Sequence, residues 1–319
     1  RSFYQINGRI MSVFVQQSRT ECDFSSRDNW VILSPIEQSI KRKIEAVGTP
    51  LKDWNINIYR GVLTGCNEAF IISSGKRDEI LTRCKDTDER RRTEELIRPI
   101  LRGRDIKRYS YDWAGLWLIW IPWHFPLYLD PSIQGASAEA EEAFMNQYPS
   151  VYQHLLLYKP LLSARNKVET GIRYEWYTLQ RWGANYWEDF SKPKIIFQEI
   201  VQESQFMMDQ HGTFFCNDTG RIIVGENLYH ILGVMNSKLF FYAIKQFYGG
   251  GALGDHGVRM KHTFFENFPC LSYSENIDSL SRKAVCSPDS NIIEELDNYI
   301  FDQYNLNEEE ISLILNDSD

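Results

Sequence analysis

Four cations, Arg102, Arg104, Lys107 and Arg108, fall within the run RGRDIKR, directly after an apolar segment. Cations at that density suit contact with phosphates, since each fixes a point along a polyanion. Further along, Arg165, Lys167, Arg173 and Arg181 are interleaved with Tyr174, Trp176, Tyr177, Trp182, Tyr186 and Trp187. That pattern suits backbone contact combined with base stacking or groove insertion, and it equally suits arginines lying over buried rings. The run Gly249-Gly250-Gly251-Ala252-Leu253-Gly254 satisfies the spacing of a dinucleotide-binding turn. Such a turn must follow a strand and open a helix, whereas this one follows an apolar helical pattern and precedes DHGVRMKHTFFENFP. Its permissive backbone, beside His256, Arg259, Lys261 and His262, suits a loop that approaches a nucleic acid closely. Asp255, His256 and His262 are of metal-ligand type, but their spacing matches no zinc pattern, and an exposed polar loop accounts for them.

The segment that must position the first cations runs from Ile58 to Tyr109. IYRGVLTGCNEAFIIS predicts a hairpin: a short strand, a turn punctuated by Gly61 and Gly65, a polar tip at Thr64 to Glu68, and a second strand ending at Ile72. EELIRPILRGRDIKRY predicts a helix from Thr93, as cap, towards Leu101, with Gly103 as its stop. Upstream, Ser34-Pro35 opens an amphipathic helix with Ile36, Ile40, Ile44 and Val47 on one face and Gly48 after it. Downstream, Tyr109 to Leu129 reads as strand-rich. Its Trp113, Trp117, Trp120 and Trp123 could stack on unpaired bases, but their setting among Leu, Ile and Pro reads as core. Ala138 to Leu162 is helical with a break at Pro149, and IIFQEIV and FMMDQHGTFFCNDTGRIIVG supply strands. Asn227 to Tyr248 is the longest helical pattern, expected to pack across the sheet. Asn291 to Leu315 reads as two helices, the second capped by Asn307, with an acidic face open to solvent or to docking.

At 319 residues and 43% hydrophobic, the chain can bury a sizeable core. The most apolar stretch, LWLIWIPWHFPLYL, is broken by Pro122 and Pro126, which excludes a spanning helix and a membrane partner there. The chain begins at Arg1 without Met and is read as part of something longer. Six cysteines without a C-x-x-C pair favour reduced thiols, a cytoplasmic location and no structural zinc. The net charge of -8 is unevenly placed: from Leu271 onward there are 12 acids and 2 bases, leaving 33 bases against 31 acids in the rest. A near-neutral body with basic clusters is compatible with a groove for DNA.

The segments GVLTGCNEAFII and LIRPILRGRDIKRY resemble the TaqI-like carboxy-terminal specificity domain of Type IIG restriction-modification enzymes and related phage-defence adenine methyltransferases. WYTLQRW, KPKIIFQEI, YHILGVMNSKLFFYAI and the terminal IIEELDNYIFDQYNLNEEEISLIL follow in the family's order, so the resemblance runs from about Val31 onward. It implies an α+β fold: a mixed-sheet target-recognition domain with packed helices and a helical C-terminal segment. The expected divisions are a linker and connecting helix at 1–56, the recognition domain at 57–272 and the acidic helical segment at 273–319. The implied partners are double-stranded DNA and a methyltransferase domain of the same polypeptide. The expected DNA-binding residues are Thr64, Gly65 and Asn67 at the tip, Arg102, Arg104, Lys107 and Arg108, then Arg181, Trp182 and Lys194, and Gly250, Arg259 and Lys261 around the glycine run.

The family's methyltransferases carry an Asn-Pro-Pro-aromatic motif for the flipped base, and this chain has no adjacent prolines and no methyl-donor loop. A nuclease needs paired acids with a Lys two residues past the second, and Asp289, Glu294 and Glu295 lack it. The expectation is therefore a non-enzymatic portion of an adenine-specific methyltransferase, with or without endonuclease activity. S-adenosylmethionine and Mg belong to the missing domains, and no cofactor is expected here. Two alternatives are a protein-interaction module, against which the arginines at 102 to 108 speak, and the specificity domain of a phage-defence methyltransferase without a nuclease.

Overall fold

The computed structural model describes residues 33–165, 170–249 and 257–317. Helix α1 (Pro35–Val47) forms as the sequence predicts: Ser34 accepts from the Glu37 N–H, the Glu37 carboxylate accepts from the Ser34 N–H at 2.6 Å, and Ile40 and Ile44 are buried. Next come β1 (Ile56–Arg60), a single helical turn at Asn67–Phe70, β2 (Ile71–Ser73), α2 (Ser74–Thr82), α3 (Thr87–Leu96), β3 (Ile97–Leu101) and β4 (Leu116–Ile119). Three helices, α4 (Ala138–Gln147), α5 (Pro149–Leu156) and α6 (Lys159–Ala164), precede strands β5 (Lys194–Gln198), β6 (Phe206–Asp209), β7 (Phe215–Cys216) and β8 (Gly220–Gly225). The remaining main elements are helices: α7 (Leu228–Met235), α8 (Lys238–Ala243), α9 (Glu275–Cys286), α10 (Ser290–Gln303) and α11 (Glu308–Asn316). The fold is α+β, with a helical C-terminal segment.

The central sheet is antiparallel, in the order β1-β8-β5-β6, and the second sheet, β2-β4-β3-β7, is mixed because β3 and β7 run parallel. Strands β8, β5 and β6 of the central sheet are buried on both faces, and β1 is a partly exposed edge strand. Side chains alternate along a strand, so Ile195, Phe197, Phe206, Met208 and Ile223 face a core shared with α1 and α7 to α11. Their neighbours Ile196, Met207, Ile222 and Val224 face a second core, shared with the second sheet and α2 to α6. Double burial explains why IIFQ and RIIV read as continuous apolar runs rather than alternating ones.

Several expectations are corrected. Gly61 does not turn a hairpin. A side chain there would lie 1.9 Å from the Asn217 carbonyl oxygen, and Val62 donates to the Cys216 carbonyl at 2.9 Å. The chain therefore leaves β1 along the 216–217 segment, and β2 joins the other sheet. The helix expected from Thr93 towards Leu101 is α3 followed by β3. Asp86 is the cap, accepting from the Glu89 N–H at 2.7 Å, Thr93 is a buried interior residue, and Pro99 lacks the N–H that a continued helix would need. The long pattern from Asn227 breaks at Asn236, whose amide grips both backbone groups of Phe206 at 3.1 and 2.9 Å, and Ser237 caps a new helix. Between Tyr109 and Leu129 the main strand is β4, and Trp120 is core.

The acidic face of α11 is only partly open to solvent. Glu310 is 1% exposed and accepts from Lys43 Nζ and Ser39 Oγ of α1, both at 2.7 Å, while Asn307 and Glu310 form a reciprocal cap. Burial raises the Glu310 pKa, but the bonds from Lys43, Asn307 and Ser39 outweigh it and hold the carboxyl below its ordinary value. A folded pKa below the unfolded one adds stability that is present above the ordinary glutamate range and lost as pH falls through the folded value. Glu310→Gln is expected to cost about 2 kcal/mol at neutral pH. Urea denaturation at neutral pH and below about pH 4 checks this: the gap between wild type and variant should shrink on acidification.

Candidate nucleic-acid interface

One end of the central sheet gathers most of the loops that the sequence singled out. There β1 ends at Arg60, β8 begins with Gly220 and Arg221, and β5 ends at Gln198, with Arg221 opposite Arg60 and Gly220 opposite Gln198. From the second sheet, β3 runs into the turn Arg102–Asp105. Gly103 sits so tightly on Gln198 that a Cβ would lie 2.5 Å from its Oε1. Leu63 and Arg181 exchange two backbone hydrogen bonds of 2.9 Å, which places Arg181 beside the Thr64–Glu68 tip. The pair Val258–Arg259 hydrogen-bonds to Ile200–Val201, just past β5. Gly250 and the rest of the glycine run up to His256 lie outside the described residues, as does Lys167.

Within this arrangement the cations divide into those already engaged and those facing solvent. Arg102 forms a two-pronged pair with Asp105, Nη2 to Oδ1 at 2.7 Å and Nε to Oδ2 at 3.0 Å, and Asp105 also accepts from the Arg102 N–H. Burial raises the Asp105 pKa, but the Arg102 bonds outweigh it and the carboxyl stays below its ordinary value. Arg108 turns inward, donating to the Asn236 carbonyl at 2.6 Å and to Asp297 at 3.3 Å. Arg104 is exposed and Lys107 half-buried, and neither side chain makes a hydrogen bond or ion pair among the described residues. Arg181 is exposed in the same way, whereas Trp182 is buried, edge-on to Trp120 at 5.9 Å.

At the tip, Thr64 is buried, accepting from the Cys66 N–H and donating to Asn67 Oδ1 at 2.6 Å, which leaves Gly65 and Asn67 exposed. Gly65 has φ +71°, a conformation that glycine adopts without strain. Arg165 is the staple beneath the tip. It is buried and donates to the carbonyls of Thr64, Trp176 and Leu162 at 2.8, 2.7 and 3.1 Å.

Lys194 is not a surface cation. It is 0% exposed, with Nζ 2.6 Å from Asp209 and 2.7 Å from the Phe190 carbonyl, at the opposite end of β5 from Gln198. Its register partner is Asp209, and that pairing across β5 and β6 is invisible in the text KPKIIF. Arg259 is half exposed and donates to Glu199 at 2.8 Å; Lys261 lies over the Phe264 ring at 5.8 Å. The sequence reading missed Arg60, Arg221 and Glu199. The signal was present: Arg60 precedes Gly61 and Arg221 follows Gly220, so each arginine marks a strand end at a glycine that leaves no free room for a side chain.

The result is an α+β fold that brings several of the singled-out loops together at one sheet end. The chain belongs to the family of TaqI-like C-terminal specificity domains, whose sequence profile matches residues 98–269. In fold it is similar to the Type IIL restriction-modification enzyme MmeI, solved in complex with DNA, with a TM-score of 0.52 and 12% identity over 85% of this chain and 36% of that one. The type IIG restriction endonuclease BpuSI aligns over 82% of this chain and 27% of its own at 12% identity, with a TM-score of 0.46. The chain thus spans about a third of the length of these enzymes. No curated protein matches the sequence. Among the described residues, no group of three or more His, Cys, Asp or Glu side chains is placed to hold a metal, and no helix is long and apolar enough to cross a membrane.

Removing Lys194 strands Asp209 in the core, so Lys194→Ala is expected to destabilise the fold by roughly 3–5 kcal/mol. Replacing both partners, Lys194→Met with Asp209→Leu, should recover much of that loss, because no unpaired charge then remains. Denaturant melts of the three proteins check this; a loss below about 1 kcal/mol in the single variant would return Lys194 to the surface.

Proposed function

We propose that this chain recognises the target sequence in double-stranded DNA on behalf of a restriction-modification enzyme. In this reading, adenine-N6 methylation, and cleavage where the parent carries a nuclease, belong to domains outside this chain. The observation that carries the reading is the gathering of Arg60, Arg104, Arg181 and Arg259 with the Thr64–Glu68 tip around one sheet end. Family membership and the fold shared with MmeI support it. The exposed cations would fix register on phosphates, while Gly65, Asn67 and neighbouring loop side chains reach base edges in the major groove. Arg102, Arg108 and Arg165 hold the loops in place, which lowers the ordering cost of binding. The DNA-binding role includes a cytoplasmic location and a methyltransferase domain of the same polypeptide as second partner. S-adenosylmethionine and Mg would be bound by the other domains.

Filter binding across a salt series tests the reading. Each phosphate contact adds about 0.9 to the slope of log affinity on log salt, so Arg104→Ala and Arg181→Ala should each flatten it by about one unit. Arg102→Ala should instead lower the melting temperature, since it frees a buried Asp105. A slope unchanged in both exposed variants would remove the assignment. Calorimetry adds a separate expectation: this chain alone gives no saturable heat with S-adenosylmethionine, and saturable binding would contradict the division of labour.

A further inference from the structure

Glu199 stands at the centre of an unusual charge arrangement. Its two carboxylate oxygens are taken by different arginines, Arg221 Nη2 at 2.7 Å and Arg259 Nε at 2.8 Å. Arg221 is 3% exposed and Arg259 51% exposed, so one carboxylate ties a buried guanidinium to a surface one. Arg60 lies directly opposite Arg221 in the β1-β8 ladder, and residues opposite one another share a face of the sheet. The Met260 N–H donates to the Glu199 carbonyl at 2.6 Å, which sets the following Lys261 and His262 beside this carboxylate, and the positive charges of Arg221, Lys261 and Arg60 act on the His262 ring. Glu266, on the turn after His262, supplies the second carboxylate. Four permanent cations therefore surround two acids, leaving an excess of two positive charges at a partly buried spot.

Two nitrogens at this spot have no hydrogen-bond partner among the described residues: the Arg221 Nε–H, always a donor, and His262 Nδ1, a donor in one tautomer of the ring, both buried from solvent. A buried N–H of a guanidinium is costly to leave unpaired, and an acceptor-only group carrying negative charge is the partner that suits it. Burial, and then the positive charge of Arg221, hold His262 below its ordinary value, so the ring is neutral near pH 7 and offers one N–H, on Nδ1 in one of its tautomers. Burial raises the Glu199 pKa, but Arg259 and Arg221 outweigh it, so the carboxylate stays ionised and keeps the two arginines apart and oriented.

We propose that Arg221, His262, Arg60 and Lys261 form a receptor for one phosphate oxyanion, with Glu199 as its positioning residue. The ligand class is a phosphate group with at least two free oxygens, one for the Arg221 and His262 donors and one for the flexible Arg60 and Lys261 side chains. Where the proposed DNA recognition holds, on which this assignment of source rests, the group is a backbone phosphate of the duplex. It then anchors the β1 and β8 strand ends close to the Thr64–Glu68 tip. A free phosphate is the alternative source of the same chemistry.

The full chain, labelled with ¹⁵N, is titrated with inorganic phosphate and separately with a random-sequence duplex, with sodium chloride at matched ionic strength as control. The expected result is saturable movement of the Arg221 Nε–H and His262 ring resonances with phosphate and with duplex, and none with chloride. Arg60 is exposed and Lys261 half-buried, so Arg60→Ala and Lys261→Ala keep the fold. Each should weaken phosphate binding at least threefold, and Arg60→Ala should flatten the duplex salt slope by about one unit. Resonances that stay still with both ligands, or phosphate affinity unchanged in both variants, overturn the site. Salt-sensitive duplex binding with an unmoved Arg221 Nε–H and His262 ring overturns the site while leaving DNA recognition standing. Saturation by inorganic phosphate without duplex binding upholds the site and removes the DNA reading.

Discussion

The constraint on which the rest of this structure depends is the burial of strands β5, β6 and β8 of the central sheet on both faces. A sheet with one wet face can place polar residues at every second position. Here Ile195 and Phe197 face one core and Ile196 the other, so polar side chains are pushed to the strand ends. The two ends meet this demand differently. At one, Lys194 and Asp209 neutralise each other inside the protein, and Asp209 also accepts from the Thr213 and Phe214 N–H groups. At the other, Arg60, Arg221 and Gln198 reach loops, and the charge is only partly neutralised by Glu199.

The same logic sorts the arginines. Two inward-turned guanidiniums are held largely through backbone carbonyls of segments distant in sequence. Arg165 holds the carbonyl of Thr64, and Arg108 holds that of Asn236 together with the Asp297 carboxylate. Asp297 itself is pushed up by burial despite the nearby Arg108 charge, which marks this contact as a deep one within the helical half. These arginines fasten the tip and the Arg102–Asp105 turn to the two cores. Arg104, Lys107 and Arg181 sit on the segments so fastened, and their charge is presented from a rigid base.

The helical half contributes more than a cover for the sheet. Asn236 breaks the long apolar pattern in order to satisfy both backbone groups of Phe206, the first residue of β6, and the Tyr109 N–H donates to the Phe206 carbonyl at 3.0 Å. One residue thus receives contacts from the helical layer, from the central sheet and from the chain leaving the basic turn. Lys43 and Ser39 on α1 then tie α11 back across the same core through Glu310. The acidic segment and the first described helix close a single packed unit around the sheet.

What the sequence determined by itself was local. The Ser34 and Asn307 caps, the stop at Gly48, the break at Pro149 and the apolar strands at IIF and RIIV depend on residues within a few positions of one another. The family motifs around the tip and the basic turn were legible for the same reason, as contiguous strings. Tertiary structure alone decided which glycine turns and which permits close approach: Gly61 faces the Asn217 carbonyl, far along the chain, and so ends a strand without folding it back. It also decided which cations are free. Lys194 looks like a surface residue beside Pro193 until the β5-β6 register sets it against Asp209. Arg60 and Arg221 look unrelated until the β1-β8 register sets them side by side. Burial and register are properties of pairs of distant segments, and no window along one segment contains them.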